Sequence, residues 1–163
     1  MRVFISYRRG DAVALAGRLY DRLASHLGAD SVFMDQESIP VGQDFRLAIS
    51  SAITRSDVLL VLIGPKWVEL FGRFGTSDDL VVDEIRAALK QAIPVIPVLL
   101  GPTPMPQSSA LPSSISELAM RQAIRLEPGE RFSSDFERLL QALPGANGGQ
   151  TSVMQRIRKW FGR

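Results

Sequence analysis

The stretch DLVVDEIRAAL at residues 79–89 gathers three carboxylates, Asp79, Asp83 and Glu84, at the head of a predicted helix. Acids are favoured in a first helical turn because they oppose the exposed N–H groups and the positive end of the dipole. That role accounts for Asp79 and Asp83. Glu84 is different: on a helical wheel the apolar stripe runs through Val81, Ile85, Ala88 and Ala92, and Glu84 lies on its flank while Asp83 points away. A carboxylate at the border of a buried face takes an i,i+4 partner, meets solvent at an edge, or lines a cleft.

Few other residues could carry chemistry. There is no cysteine, which excludes a disulfide framework and thiol catalysis, and the single histidine, His26, excludes a histidine-based metal site or a Ser-His-Asp triad. Carboxylates, hydroxyls and arginines remain. The formal net charge of +2 misleads, because Arg156, Arg158, Lys159 and Arg163 crowd the last residues; less those four, the body stands near −2. Without a basic face carrying aromatics at stacking positions, nucleic-acid binding by the body is not expected.

These groups need a scaffold, and 163 residues suffice for one domain. Strand and helix patterns alternate along the chain, which predicts an α/β parallel sheet. Strands are expected at 2–7 (RVFISY), 31–35 (SVFMD), 57–63 (DVLLVLI) and 93–100 (IPVIPVLL), with RQAIRL as a fifth, edge strand. The continuously apolar 57–63 suits a central strand covered on both faces. In 93–100, Pro94 and Pro97 each remove a ladder donor, placing that strand near an edge or straining its start.

Helices are expected through residue 27 (apolar side Val13, Ala16, Leu19, Leu23, Leu27), at 45–54, from Asp78 or Asp79 onward, briefly at 115–119, and at 134–143 with Ser134 as N-cap. The segment QESIPVGQDF reads as a loop, and the Pro/Ser-rich GPTPMPQSSALPSSI as a long surface loop. Residues 1–144 form the domain. Residues 145–163 are a flexible linker and a basic amphipathic tail, with Val153, Met154, Ile157, Trp160 and Phe161 on one side. The tail either meets a membrane surface or a partner such as another domain, or else it packs on this domain or continues toward a region outside the chain; the second reading is preferred. No export signal or membrane span is visible, so a cytoplasmic location is expected.

Such a sheet, in the flavodoxin-like order 2-1-3-4-5, binds ligands outside the carboxyl ends of its first and third strands. The segments meeting there supply Arg8, Arg9 and Asp11, then Gly64, Pro65 and Trp67, with 35–45 closing over them. They could meet phosphates and stack a base. Equally, Arg8 and Arg9 could be solvated or paired with Asp11, and Trp67 could anchor a loop. There is no G-x-G-x-x-G after the first strand and no P-loop motif. A two-component receiver reading fails as well, since the third strand ends in LIGP and carries its Asp57 at the start.

In their order, FISYRRGD, VFMDQESIPVGQDFRLAISSAI, SDVLLVLIGPKW and DEIRAALKQAIPVIPVLL resemble the Toll/interleukin-1 receptor (TIR) domain in its bacterial form, over about residues 2–143. The resemblance implies a three-layer, flavodoxin-like TIR fold with five parallel strands. It also implies cleavage of NAD+ at the nicotinamide–ribose bond, with Glu84 as the catalytic carboxylate beside an oxocarbenium-like ribosyl cation. NAD+ is then the substrate, and no metal or further cofactor is expected.

By the same matching, Tyr7, Arg8, Arg9, Phe33, Asp35, Ser38, Ile39, Trp67 and Leu80 would line the substrate cleft. Catalytic relatives often carry tryptophan where this chain has Leu80, which cannot stack as an indole does. The family's BB loop, here Gln36, Glu37, Pro40, Val41, Gly42 and Asp44 with their neighbours, implies self-association that can complete the site between subunits. The product would be ADP-ribose or a cyclic isomer, in anti-phage or stress signalling. The alternative is a non-catalytic adaptor acting through that loop.

Overall fold

The computed structural model describes residues 1–34, 45–71 and 79–145. The expected BB loop with Asp35, Ser38 and Ile39, and the tail from 146 onward, lie outside the described residues. Strands β1 (Val3–Ser6), β2 (Val32–Met34), β3 (Val58–Ile63), β4 (Val95–Leu100) and β5 (Ile124–Leu126) form one parallel sheet in the order β2-β1-β3-β4-β5. Helices α1 (Arg9–Leu27), α2 (Phe45–Thr54), α3 (Leu80–Lys90) and α4 (Phe132–Ala142) connect and cover the strands, and a 3₁₀ helix at Ser113–Met120 leads into β5. This is the α/β architecture that the alternation of patterns predicts.

The strand period divides the core in two. Val3 and Ile5 of β1, with Leu60 and Leu62 of β3, face α1 and α4, while Phe4, Leu59, Val61 and Ile63 face α2, α3 and the 3₁₀ helix. All six residues of β3 are buried. At about 1.5–3 kcal/mol for each large apolar side chain removed from water, this strand is the axis on which the domain condenses.

Strand β4 lies inside the sheet, next to the edge strand β5. The Leu59 N–H donates to the Pro94 carbonyl at 2.9 Å. In a parallel ladder this turns residues 94, 96 and 98 toward β3 and Pro97 toward β5. Because β5 begins only opposite Val98, the missing Pro97 donor has no partner to disappoint.

Three helical expectations need correction. In α1 the buried series is Ala12, Ala16, Leu19 and Leu23, and Val13 is 56% exposed. At 3.6 residues per turn, Ala12, Ala16, Leu19 and Leu23 share an arc of about 60° on the helix wheel, and Val13 lies about 60° beyond its edge. Helix α3 ends before Ala92: the Ile93 N–H donates to the Ala88 carbonyl at 3.0 Å, and Ala92 has φ 57°. That is a Schellman stop, and it takes Ala92 off the stripe. Ser134 is no N-cap; it lies inside α4, and its Oγ donates to the Arg131 carbonyl.

Candidate active site

Strand alternation carries Ser6 and Arg8 to the same side of the sheet as Phe4, the side covered by α3. Arg8 is buried there. Its Nη2 donates to Asp79 Oδ2 at 2.7 Å, with only 6% and 8% of the two side chains exposed. Its guanidinium carbon also lies 4.5 Å from the Phe71 ring centroid and 5.5 Å from that of Trp67. The two rings pack edge to face at 4.9 Å. Arg8 therefore joins the exit of β1 to an aromatic pair after β3 and to the head of α3.

Asp79 also caps α3, its Oδ1 accepting from the Val82 N–H at 3.3 Å. A carboxylate at a helix N-terminus is stabilised by the terminal N–H groups and the helix dipole, and here a cation adds to both. A buried ion pair gains little net stability over apolar packing, whereas loss of one partner strands the other's charge. The pair thus fixes where α3 begins more than it adds to stability.

Asp11, in the first turn of α1, does not pair with Arg8. Its carboxylate accepts from the Gly64 N–H at 2.8 Å and the Lys66 N–H at 2.9 Å, tying α1 to the exit of β3. The Trp67 N–H then donates to the Gly64 carbonyl, closing the turn, and Trp67 is fully buried. It is a core anchor of this loop rather than an exposed stacking surface.

Glu84 is the buried acid of this region, 3% exposed on α3 among Val81, Val82, Ile85 and Ala88. The buried arc of α3 extends beyond the apolar stripe on both sides, to Glu84 on one and Val82 on the other. Glu84 is consequently deeper than its flank position suggests. It lies about 7.5 Å along the axis from the Asp79 cap, at 1.5 Å per residue. Asp83, by contrast, pairs with Arg86 at the surface.

The other expected cleft residues divide. Phe33 and Leu80, both half-buried, pack into the same side of the core as α3. Tyr7 packs instead with the core under α1 and α4, and Arg9 is exposed on the first turn of α1. No group of three or more acidic or histidine side chains that could hold a metal ion occurs among the described residues, and no described helix is long and apolar enough to cross a membrane.

Sequence reasoning missed a second feature of this end of the sheet. Ile63, Gly64, Pro65 and Val68 face Pro102, Thr103, Pro104 and Pro106 across an apolar pocket of about 310 Å³. The Pro-rich wall is fastened: Thr103 Oγ1 donates to the Leu100 carbonyl at 2.6 Å, and Arg125 donates to the carbonyls of Gly101 and Thr103. The signal available in the sequence was a cation on the edge strand opposite a stretch that frees carbonyls from helix or sheet.

Comparison with solved structures aligns the fold with the TIR domains in the structure of the activated Roq1 resistosome directly recognizing the pathogen effector XopQ. The TM-score is 0.65 at 16% identity, covering 86% of this chain and 98% of that one. No curated protein matches this chain. Among protein families, the TIR domain matches residues 3–140, nearly the whole described sheet and its helices. With the strand order, the two exits at the switch point and this match in agreement, the chain belongs to the TIR domain family.

Proposed function

We propose that this TIR domain cleaves NAD+ between nicotinamide and ribose, with Glu84 as the catalytic carboxylate. The observation that carries the reading is the burial of Glu84 on the helix that starts at the switch point, where sheets of this order take ligands. A carboxylate held in a site of low dielectric interacts strongly with a developing cation. The C1′–N bond breaks with its electron pair going to the pyridinium nitrogen, so nicotinamide leaves neutral. Glu84 stabilises the oxocarbenium-like ribosyl centre and takes the proton of the water that attacks C1′. Capture by an internal nucleophile of the same ADP-ribose gives a cyclic isomer instead.

In this reading nicotinamide is already a good leaving group, so NAD+ is the substrate and no cofactor is required. Segment 35–44 serves in self-association that activates the domain, and the setting is anti-phage or stress signalling. The test is nicotinamide release by the purified chain at high concentration, with and without a crowding agent, beside Glu84→Gln verified as folded by circular dichroism. Release that disappears in the folded variant supports the enzyme.

A second reading is a non-catalytic adaptor that binds other TIR domains. Leu47, 70% exposed on the first turn of α2 next to segment 35–44, favours it, since that surface offers an apolar contact. Under this reading the wild-type chain releases no nicotinamide, while Leu47→Asp weakens self-association measured by light scattering.

A further inference from the structure

We propose that Arg8 and Asp79 act together as positioning residues for Glu84; the inference rests on the enzymatic reading above. Arg8 is one of the residues expected to touch substrate, yet its side chain is 6% exposed and its charge is engaged by Asp79 at 2.7 Å. Its guanidinium is flanked by the rings of Phe71 and Trp67. Asp79 is equally withdrawn from solvent and, through its other oxygen, caps the helix that bears Glu84. The two form a mechanical link from the end of β1, one wall of the switch-point crevice, to the first turn of α3.

Glu84 lies one turn further along that helix. An α-helix is stiff over so short a span, so the position of the cap sets both the depth and the rotation of the catalytic carboxylate. Without the pair, α3 still has its apolar face to hold it against the sheet, through Val81, Ile85 and Ala88. The driving force of that packing is non-directional, whereas a buried ion pair with a hydrogen bond at a defined atom adds a fixed point at the start of the helix. Arg8 Nε, buried and without a hydrogen-bond partner among the described residues, indicates that the guanidinium is oriented for this one carboxylate rather than for the greatest number of bonds.

The test compares Arg8→Lys, Arg8→Met, Asp79→Ser and the double variant Arg8→Met with Asp79→Ser. Asp79→Ser keeps a capping oxygen while removing both the charge and the second oxygen, the one that accepts from Arg8. Activity is expressed per folded molecule, and amide hydrogen exchange is followed over Leu80–Glu84. Displacement of a catalytic group by about an ångström costs on the order of 100-fold, so Asp79→Ser and Arg8→Met should lower kcat by about that factor and leave KM for NAD+ nearly unchanged. Arg8→Lys should recover part of the loss. The double variant should be no worse than the poorer single one, and the first turn of α3 should exchange faster in each Met or Ser variant.

A rise in KM with kcat preserved would make Arg8 a substrate-binding residue and overturn the proposal. So would folded variants with unchanged kcat and KM. A wild-type chain that releases no nicotinamide would instead mark the failure of the enzymatic reading, and the exchange rates would still judge the link: unchanged protection at Leu80–Glu84 overturns it, and lost protection sustains its mechanical part.

Discussion

Asp11 and Gly64, 53 positions apart, meet so closely that a Cβ on Gly64 would fall 2.5 Å from an Asp11 carboxylate oxygen. The contact exists because the carboxylate spans the Gly64 and Lys66 amides, and only glycine lets the chain pass that near. Gly64→Ala must therefore push Asp11 off both amides. Hydrogen bonds to a charged group are worth about 1.5–3 kcal/mol each, and because the exposed Lys66 amide regains water while the bond at the Gly64 amide is partly buried, a loss of roughly 2–3 kcal/mol is expected. For a domain of this size that lowers Tm by roughly 4–12 °C, measurable by thermal denaturation. Asp11→Ala combined with Gly64→Ala should cost less than the sum of the two, because the first removes the clash that the second creates.

The burial of Glu84 decides which substitution gives a clean test of its chemistry. A residue on an exposed border tolerates alanine, but one that is 3% exposed among Val81, Val82 and Ile85 leaves a void when truncated. Glu84→Ala is expected to lose about 1–3 kcal/mol of stability, the usual range for point changes with a structural cost. Glu84→Gln preserves the shape and should stay within about 1 kcal/mol of wild type in urea unfolding. Under the enzymatic reading both variants lose nicotinamide release, so only the glutamine variant separates chemistry from folding.

Much of the scaffold was legible because its signals are local. The run VLLVLI specifies a strand buried on both faces, and α2 falls at 45–54, directly after the segment that Pro40 and Gly42 mark as a loop. The choice of partners was not legible. Arg8 and Asp79 are 71 positions apart, and an arginine after a strand and an aspartate before a helix each read adequately as a solvated charge and a cap. Asp11 has side-chain neighbours in sequence but bonds to backbone amides, which no residue pattern advertises. Ser134 failed as a cap for a related reason: Asp135 accepts from the Glu127 N–H at 3.0 Å, and that tie at the exit of β5 sets α4 in a register that puts Ser134 inside it.

Trp67 should behave as a core residue. It is fully buried, and its Nε1 has no hydrogen-bond partner among the described residues, so the indole contributes area and ring contacts but no polar bond. Trp67→Phe removes the unpaired N–H, whose burial costs about 1–3 kcal/mol, and this offsets much of the lost volume; a net change within about 1 kcal/mol is expected. Trp67→Ala forfeits the packing on Phe71 and the face presented to Arg8, with an expected loss of about 3–5 kcal/mol. Denaturant titration by circular dichroism measures both, and KM for NAD+ should not change in the phenylalanine variant.

One substitution should stabilise the domain. Ala92, with φ 57°, is the described non-glycine residue in the left-handed region, and it stands at the stop of α3 where the Ile93 N–H returns to the Ala88 carbonyl. An L-residue there sets its Cβ against a carbonyl oxygen at a cost of about 1–2 kcal/mol. Glycine escapes that cost but gives up roughly 0.5–1 kcal/mol through the greater freedom of its unfolded chain. The balance favours Ala92→Gly by about 0.5–1 kcal/mol, because the hydrogen bonds of the stop come entirely from backbone and survive the change. Thermal unfolding should show a Tm higher by a few degrees, while nicotinamide release is unaltered, since Ala92 lies at the opposite end of α3 from the Asp79 cap. A lower Tm would mean that the Ala92 methyl contributes packing that outweighs the strain.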